Sequence, residues 1–485
     1  MPVSLTFYGG IGEIGGNKIL LEDSGTKIFL DFGMNFSQYK KYYAEFIMPR
    51  KGAGIKDYFA MNLVPKIQGL YRDDILIHSG MKPESRDIDA ILITHAHMDH
   101  ASHLDLVKEE IPVYCSDYTN RIMKVFDETT KETEYTKVVP RFKFFKTEKG
   151  TTSRVTRKQE ERERDIKVFQ YNKPFKIGSV SVTPYQVDHS LPGATAYILE
   201  TSEGNIVYTG DLRFHGRNPE KTEYFVEKAK ESKPSLLITE GTRIKEKKSF
   251  TEEDVEKESS QHISKCTELA VINYPTRDLD RILTFYKISK NCERKMVVDF
   301  RQAFLLKTFE DTEVIPKLKD VLIYKMPKSW FLVNHPEAPK EQIPLDYDIW
   351  EREFLKAENT VSTDEIKRDQ KEYLFFCSDF QLGNLLDIEP KNGSIYLNST
   401  TEPFDEEMLL DKERKDRWLD ILGIASEKRF QVHCSGHANG VDLRKMIGKI
   451  KAKKVIPIHT EFPQFFKKIT KKTIFAKYGE KIILQ

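Results

Sequence analysis

Asp89-Ala90-Ile91-Leu92-Ile93-Thr94-His95-Ala96-His97-Met98-Asp99-His100 is the stretch whose reading decides the fold. Its first half is an apolar run that reads as a buried strand ending at Thr94. Its second half places three histidines and an aspartate within six residues, in the loop at that strand's C-terminal edge. Imidazole nitrogens and carboxylate oxygens so spaced suit a divalent transition metal. His95 and His97 can aim at one ion, and Asp99 and His100, on the next turn of backbone, at a second. Two such ions about 3.5–4 Å apart form a hydrolytic pair. A solvated loop would account for His-X-His alone, but poorly for the full His-X-His-X-Asp-His pattern after a strand.

Other strands end in the same way. Val180–Val187 leads to Asp188-His189-Ser190, Asn205–Thr209 leads to Gly210-Asp211, and Pro234–Thr239 leads to Glu240-Gly241-Thr242. Open sheets build sites from acids and histidines at strand C-termini far apart in sequence. Near the N-terminus, residues 3–8 read as a strand followed by Gly9-Gly10-Ile11-Gly12-Glu13-Ile14-Gly15-Gly16-Asn17. A hairpin follows, whereas a dinucleotide-binding loop needs a helix there, so the cofactor reading fails. Asp31 ends the hairpin's second strand, either as a turn former or as a partner orienting a metal-bound histidine.

Residues 37–88 are aromatic and charged (Tyr39, Tyr42, Tyr43, Phe46, Tyr58, Phe59, Tyr71) and are expected to cover one mouth of the site or simply to pack. Leu104 to Glu110 reads as helix. Arg154, Arg157, Lys158, Arg162 and Arg164 lie in a charge run expected to be a solvated face, with phosphate contact as the alternative. From about 245 to 425 the pattern is βαβ without ligand-like residues, a second α/β domain. Ligand types return in Gln431–His437 and Lys454–His459, which makes the second domain an insertion: 1–244, 245–425 and 426–485.

Composition restricts the alternatives. The 77 basic and 75 acidic residues leave a net charge of +2, which neither advertises nor excludes a polyanionic partner. Five scattered cysteines without Cys-X-X-Cys argue for a reducing compartment and against a zinc ribbon. No signal-peptide pattern and no long apolar run are evident, so the expectation is a cytoplasmic protein without a membrane partner.

With these residues assembled, the sequence resembles the β-CASP branch of the metallo-β-lactamase fold, and within it ribonuclease J. Asp31, His95–His100, His189 and Asp211 match the superfamily motifs, Glu240, His437 and His459 those of the branch, and Gly9–Asn17 the ribonuclease J opening. The resemblance implies an αββα sandwich with an inserted β-CASP α/β domain. It implies one metal on His95, His97 and His189, a second on Asp99, His100 and His459, and Asp211 bridging them. Zinc is the expected ion, with manganese the alternative. Asp31, Asp99, Glu240 and His437 are the residues it implies for catalysis, His437 as proton donor to the leaving ribose oxygen and Glu240 holding it. His459 favours RNA over DNA. A 5′-monophosphate pocket is expected from Ser399, Thr400, Thr401, His433, Ser435 and Gly436, although 399–401 lacks the glycines usual there.

The implied activity is hydrolysis of single-stranded RNA, 5′→3′ from a 5′-monophosphate, with endonuclease activity as an addition and a homodimer as an allowed assembly. The chain ends 26 residues after His459, which is expected to leave out the C-terminal domain of bacterial ribonuclease J, and no N-terminal RNA-binding extension is expected. The competing readings are a DNA 5′-exonuclease or repair nuclease, a non-catalytic scaffold and a small-molecule hydrolase.

Overall fold

Among the described residues, alternating and continuous apolar runs build two large sheets, besides two two-stranded ones, in the first of two units. The computed structural model describes residues 2–484 except 45, 51, 131–133, 141, 143, 155–159, 314–315, 336 and 404–405. One sheet has seven strands, in the order Ile166–Val168, Val113–Cys115, Ala90–Leu92, Thr26–Phe32, Lys18–Asp23, Ser4–Phe7 and Lys481–Ile483. The other has six: Phe175–Ile177, Val180–Gln186, Thr195–Thr201, Gly204–Tyr208, Leu236–Glu240 and Lys454–Ile458. Leu5, Ile19, Leu21, Ile28, Leu30 and Leu92 from the first sheet share one buried cluster with Val182, Leu199, Ile206, Leu236, Ile238 and Ile456 from the second. The sheets therefore pack face to face. The outer face of the second sheet is covered by helices Pro219–Glu231 and Gly440–Ile450, through Phe225, Val226, Leu443, Met446 and Ile447.

The second unit carries one seven-stranded sheet, in the order Thr360–Val361, Leu322–Tyr324, Lys295–Val298, Tyr373–Phe376, Ala270–Asn273, Ile395–Asn398 and Arg429–Gln431, with every pairing parallel. Its central strands, such as Ala270-Val271-Ile272 and Leu374-Phe375-Phe376, are apolar throughout because helices cover both faces of a parallel sheet. Helices Glu252–Ser264 and Leu279–Asn291 start on Thr251 and Asp278, whose side chains accept main-chain N–H groups.

By packing, the first unit comprises 1–249 and 436–485, and the second 250–435. The returning boundary falls after 425 because Arg429–Gln431 pairs with Ile395–Asn398 and extends the second unit's sheet.

Two local readings change. The expected helix over 104–110 is a 3₁₀ turn, Ser102–Leu106. The Arg164 guanidinium donates to the carbonyls of Leu104, Val107 and Lys108, which holds that chain open. Arg164 is therefore buried and structural rather than solvated or phosphate-binding. Arg162 is ion-paired to Glu109 at 2.8 Å; Arg157 and Lys158 lie outside the described residues.

Candidate metal centre

Strand Ala90–Leu92 is central in its sheet, so the loop that follows it is held rigidly. Met98–Ala101 then forms a single helical turn, with the amides of His100 and Ala101 donating to the His97 carbonyl. Around this loop, four other segments of the first unit bring their side chains together.

His95 Nε2 and His189 Nε2 lie 2.9 and 3.2 Å from His97 Nδ1, and 3.7 and 3.9 Å from Asp211 Oδ2. Beside them, His100 Nε2 is 3.1 Å and His459 Nε2 3.6 Å from the same Asp211 oxygen, while His459 Nε2 is 3.0 Å from Asp99 Oδ2. Among the described residues a third grouping, Glu240/His437/His459, meets the same criterion; the two built around the motif loop are His95/His97/His189/Asp211 and Asp99/His100/Asp211/His459, each with its ligand atoms within 4.8 Å of one another. Asp211 is common to both. The seven side chains predicted as ligands are thus brought together.

The donor chemistry fits divalent cations. Asp211 Oδ1 is buried without a hydrogen-bond partner, and buried polar atoms are ordinarily satisfied. A metal would supply the missing partner. The far ring nitrogens are already engaged, which leaves the Nε2 lone pairs facing inward. His189 Nδ1 donates to the Gly436 carbonyl at 2.6 Å, His100 Nδ1 to Asp31 Oδ2 at 2.8 Å, and His459 Nδ1 to Thr242 Oγ1 at 2.8 Å. Burial holds the imidazoles of His95 and His189 well below their usual pKa, and His97 down to about 4, so all three are neutral donors. Burial also disfavours a charged His100, but Asp211, Asp99 and Asp31 outweigh it and hold its pKa well up.

Asp31 is fully buried and orients rather than faces the centre. The hairpin pairs Lys18 with Phe32 and Ile19 with Leu30, leaving Asp31 as an extra residue at φ +56°. Such a bulge re-aims a side chain. Asp31 accepts from the amide and hydroxyl of Thr94 and, at 2.5 Å, from the Tyr208 hydroxyl, besides His100.

His437 stands at the edge of the cluster with a fifth of its side chain exposed. Its Nδ1 is 3.2 Å from Glu240 Oε2 and 3.9 Å from Asp211 Oδ2. Burial pushes its pKa down, yet the Glu240 and Asp211 carboxylates win and raise it to about 9. Glu240 is itself buried, accepting from the amides of Leu212 and Thr242.

The residues expected to bind a 5′-phosphate divide between the units. Ser399, Thr400, Thr401, His433 and Ser435 belong to the second and Gly436 to the first. Thr401 Oγ1 lies 3.5 Å from His433 Nε2. Ser399 differs from expectation: it is fully buried and its hydroxyl donates to the Val432 carbonyl, beside the Arg281 guanidinium. The Gly436 carbonyl is occupied by His189.

Sequence reasoning missed several contributors. Thr94 and Thr242 bond the candidate ligand histidines from positions next to the motifs. Asp188 and Arg213, joined at 3.0 Å and buried, tie the His189 loop to the Asp211 loop. Their adjacency to motif residues was the available signal. Tyr208, an ordinary strand aromatic by sequence, carried none.

Two family models match the chain: a beta-lactamase superfamily domain over residues 75–263 and a Zn-dependent metallo-hydrolase RNA specificity domain over 425–481. Among curated proteins, it is 21% identical to ribonuclease J of Pyrococcus abyssi over 95% of this chain and 90% of that one. It is 22% identical to ribonuclease J of Helicobacter pylori strain 26695 over 95% of this chain and 56% of that one, and 22% identical to ribonuclease J 2 of Streptococcus pyogenes over 95% and 70%. The chain thus spans nearly all of the archaeal relative and little more than half of the Helicobacter one. A solved structure of a protein of unknown function from Enterococcus faecalis V583 superposes with a TM-score of 0.72 at 24% identity, covering both chains fully. Among the described residues, no helix is long and apolar enough to cross a membrane.

Proposed function

From the premise that the chain is a ribonuclease J-like metallo-hydrolase of the β-CASP branch of the metallo-β-lactamase fold, we propose that it hydrolyses single-stranded RNA 5′→3′ from a 5′-monophosphate, with endonucleolytic cutting as a second mode. The observation that carries the reading is the sharing of Asp211 between two complete donor sets. His95, His97 and His189 would hold one divalent ion, Asp99, His100 and His459 the other, with Asp211 common to both; zinc suits these ligands, and manganese is the alternative. Bound there, such ions would lower the pKa of water from 15.7 toward about 7 and would neutralise charge developing on the phosphate oxygens.

The chain's own groups do the rest. His437, at the cluster's exposed edge, donates a proton to the departing ribose oxygen, and Glu240 keeps the ring oriented and charged for that step. Asp31, Thr94, Thr242 and the Gly436 carbonyl fix which imidazole nitrogen faces inward. Thr400, Thr401 and His433 are the groups the second unit offers a 5′-phosphate, since hydroxyls and ring N–H groups suit phosphate oxygens. Ser399 supports them through Val432, and Ser435 of the same unit completes the candidate set.

The test is a time course on 5′-monophosphorylated, labelled RNA resolved by product length, with 5′-triphosphorylated RNA and a matched DNA strand alongside. Mononucleotides from the 5′ end, slowed by the triphosphate and abolished by EDTA, are expected. Internal fragments appearing first would replace the exonuclease with an endonuclease. A DNA rate tenfold above RNA would overturn the substrate.

A further inference from the structure

Residues 36–50, Phe-Ser-Gln-Tyr-Lys-Lys-Tyr-Tyr-Ala-Glu-Phe-Ile-Met-Pro-Arg, take no part in the centre described above, yet they start at its wall. The Met34 amide donates to the Met98 carbonyl, one residue before Asp99. Asn35, the cap of the short helix Phe36–Lys40, lies against Gly16, whose amide donates to the Asp99 carbonyl. Gln38 Nε2 donates to Glu13 Oε2 at 3.1 Å, fastening the helix to the same glycine-rich loop. From this anchored start, large apolar side chains run out into solvent: Phe36 is 41% exposed, Tyr42 42%, Phe46 85% and Met48 68%. Lys40 and Lys41, both exposed, fall between them.

Phe46, Ile47 and Met48 are three consecutive exposed apolar side chains; contiguous exposed apolar surface marks an interaction site, and the lysines select what it takes. An apolar partner surface gains nothing from ammonium groups set among rings. A single nucleic-acid strand matches both, because its bases stack on aromatic faces while its phosphates meet the cations. Resting on the ribonuclease reading, we propose that Phe36, Tyr42, Phe46 and Met48, with Lys40 and Lys41, form the track on which bases of the substrate strand flanking the scissile phosphodiester stack. The surface is sequence-tolerant, since every base has a π-face, and it favours unpaired RNA, since a duplex hides its bases.

The test uses the metal-loaded protein. In the Tyr42→Ala/Phe46→Ala double variant, KM for a short unpaired RNA should rise about tenfold or more, given about 1–3 kcal/mol per stacked base. Metal content and the rate on bis(p-nitrophenyl) phosphate, which offers no bases to the track, should be unchanged. In Lys40→Gln/Lys41→Gln, the slope of log affinity against log salt should flatten by about 1.4, at about 0.7 per phosphate contact on single strands. Unaltered KM and unaltered salt slope overturn the proposal, as does a variant that loses self-association while keeping its KM, which would assign the surface to a second copy of the chain. Wild type that binds unpaired RNA but does not cleave it defeats the ribonuclease reading alone. Wild type that cleaves, with variants indistinguishable from it, defeats the track alone.

Discussion

The main-chain amide of His459 donates to the Gly10 carbonyl at 2.7 Å, so the first loop of the chain holds one of its last candidate ligands. The same loop holds Asp99, whose carbonyl accepts from the amides of Gly16 and Asn17 at 3.0 and 3.1 Å. Both residues belong to the donor set Asp99/His100/Asp211/His459, and neither belongs to the other. The glycine-rich opening is therefore a brace for one half of the centre.

Gly15→Ala tests the brace. A Cβ at Gly15 would lie 2.7 Å from Asp99 Cβ and Oδ2, at φ +77°, whereas one at Gly12, φ +67°, meets nothing within 4 Å. Both variants bear the cost of a left-handed alanine, about 1 kcal/mol, but only Gly15→Ala displaces Asp99. Metal analysis should show Gly15→Ala losing one ion of a pair and Gly12→Ala keeping both.

Asp31→Ala should act through orientation. It strands the Thr94 amide and the Tyr208 hydroxyl in a buried site and frees the His100 ring. Stability should fall by about 2–4 kcal/mol and metal affinity by about 10–100-fold. Tyr208→Phe, which removes one hydrogen bond, should cost about 1 kcal/mol. Thermal unfolding and zinc titration of both variants check the ranking.

His437→Ala should leave metal content intact and slow RNA cleavage by about 10²–10⁴. An unchanged rate removes His437 from proton transfer, and a lost ion reassigns it as a ligand.

Lys18 offers a pH test away from the ligands. It is fully buried, and its Nζ donates to the Gly16 carbonyl at 3.3 Å. Burial lowers its pKa to about 7 against the opposing pull of Glu13. Between about 7 and 10.5 the unfolded chain binds this proton and the folded chain does not, so stability from this group rises with pH across that window. Lys18→Met lacks that gain. Its melting temperature relative to wild type should be highest near pH 7 and decline toward pH 9; a difference constant with pH would contradict the burial account.

Much of this was legible in the sequence, for a physical reason. Candidate site residues at strand C-termini follow apolar runs of readable period, so His95–His100, His189, Asp211, Glu240 and His459 declare their own positions. What escaped depends on backbone shape and distant contacts. Asp31 could be flagged as a strand-end acid, but not the bulge that aims it. Gly436 reads by sequence as a candidate phosphate contact, and only the fold shows its carbonyl accepting from His189. The 3₁₀ turn in place of a helix over 104–110 follows from Arg164, some sixty residues on, claiming the carbonyls a helix would use.

The central claim, two cations sharing Asp211, is tested most directly by counting metal per chain in the purified protein by plasma mass spectrometry, for wild type and His459→Ala. The account predicts two divalent ions in wild type and one in the variant, with the His95/His97/His189 set still filled. Fewer than one ion per chain in wild type, or the same count in both proteins, would contradict it.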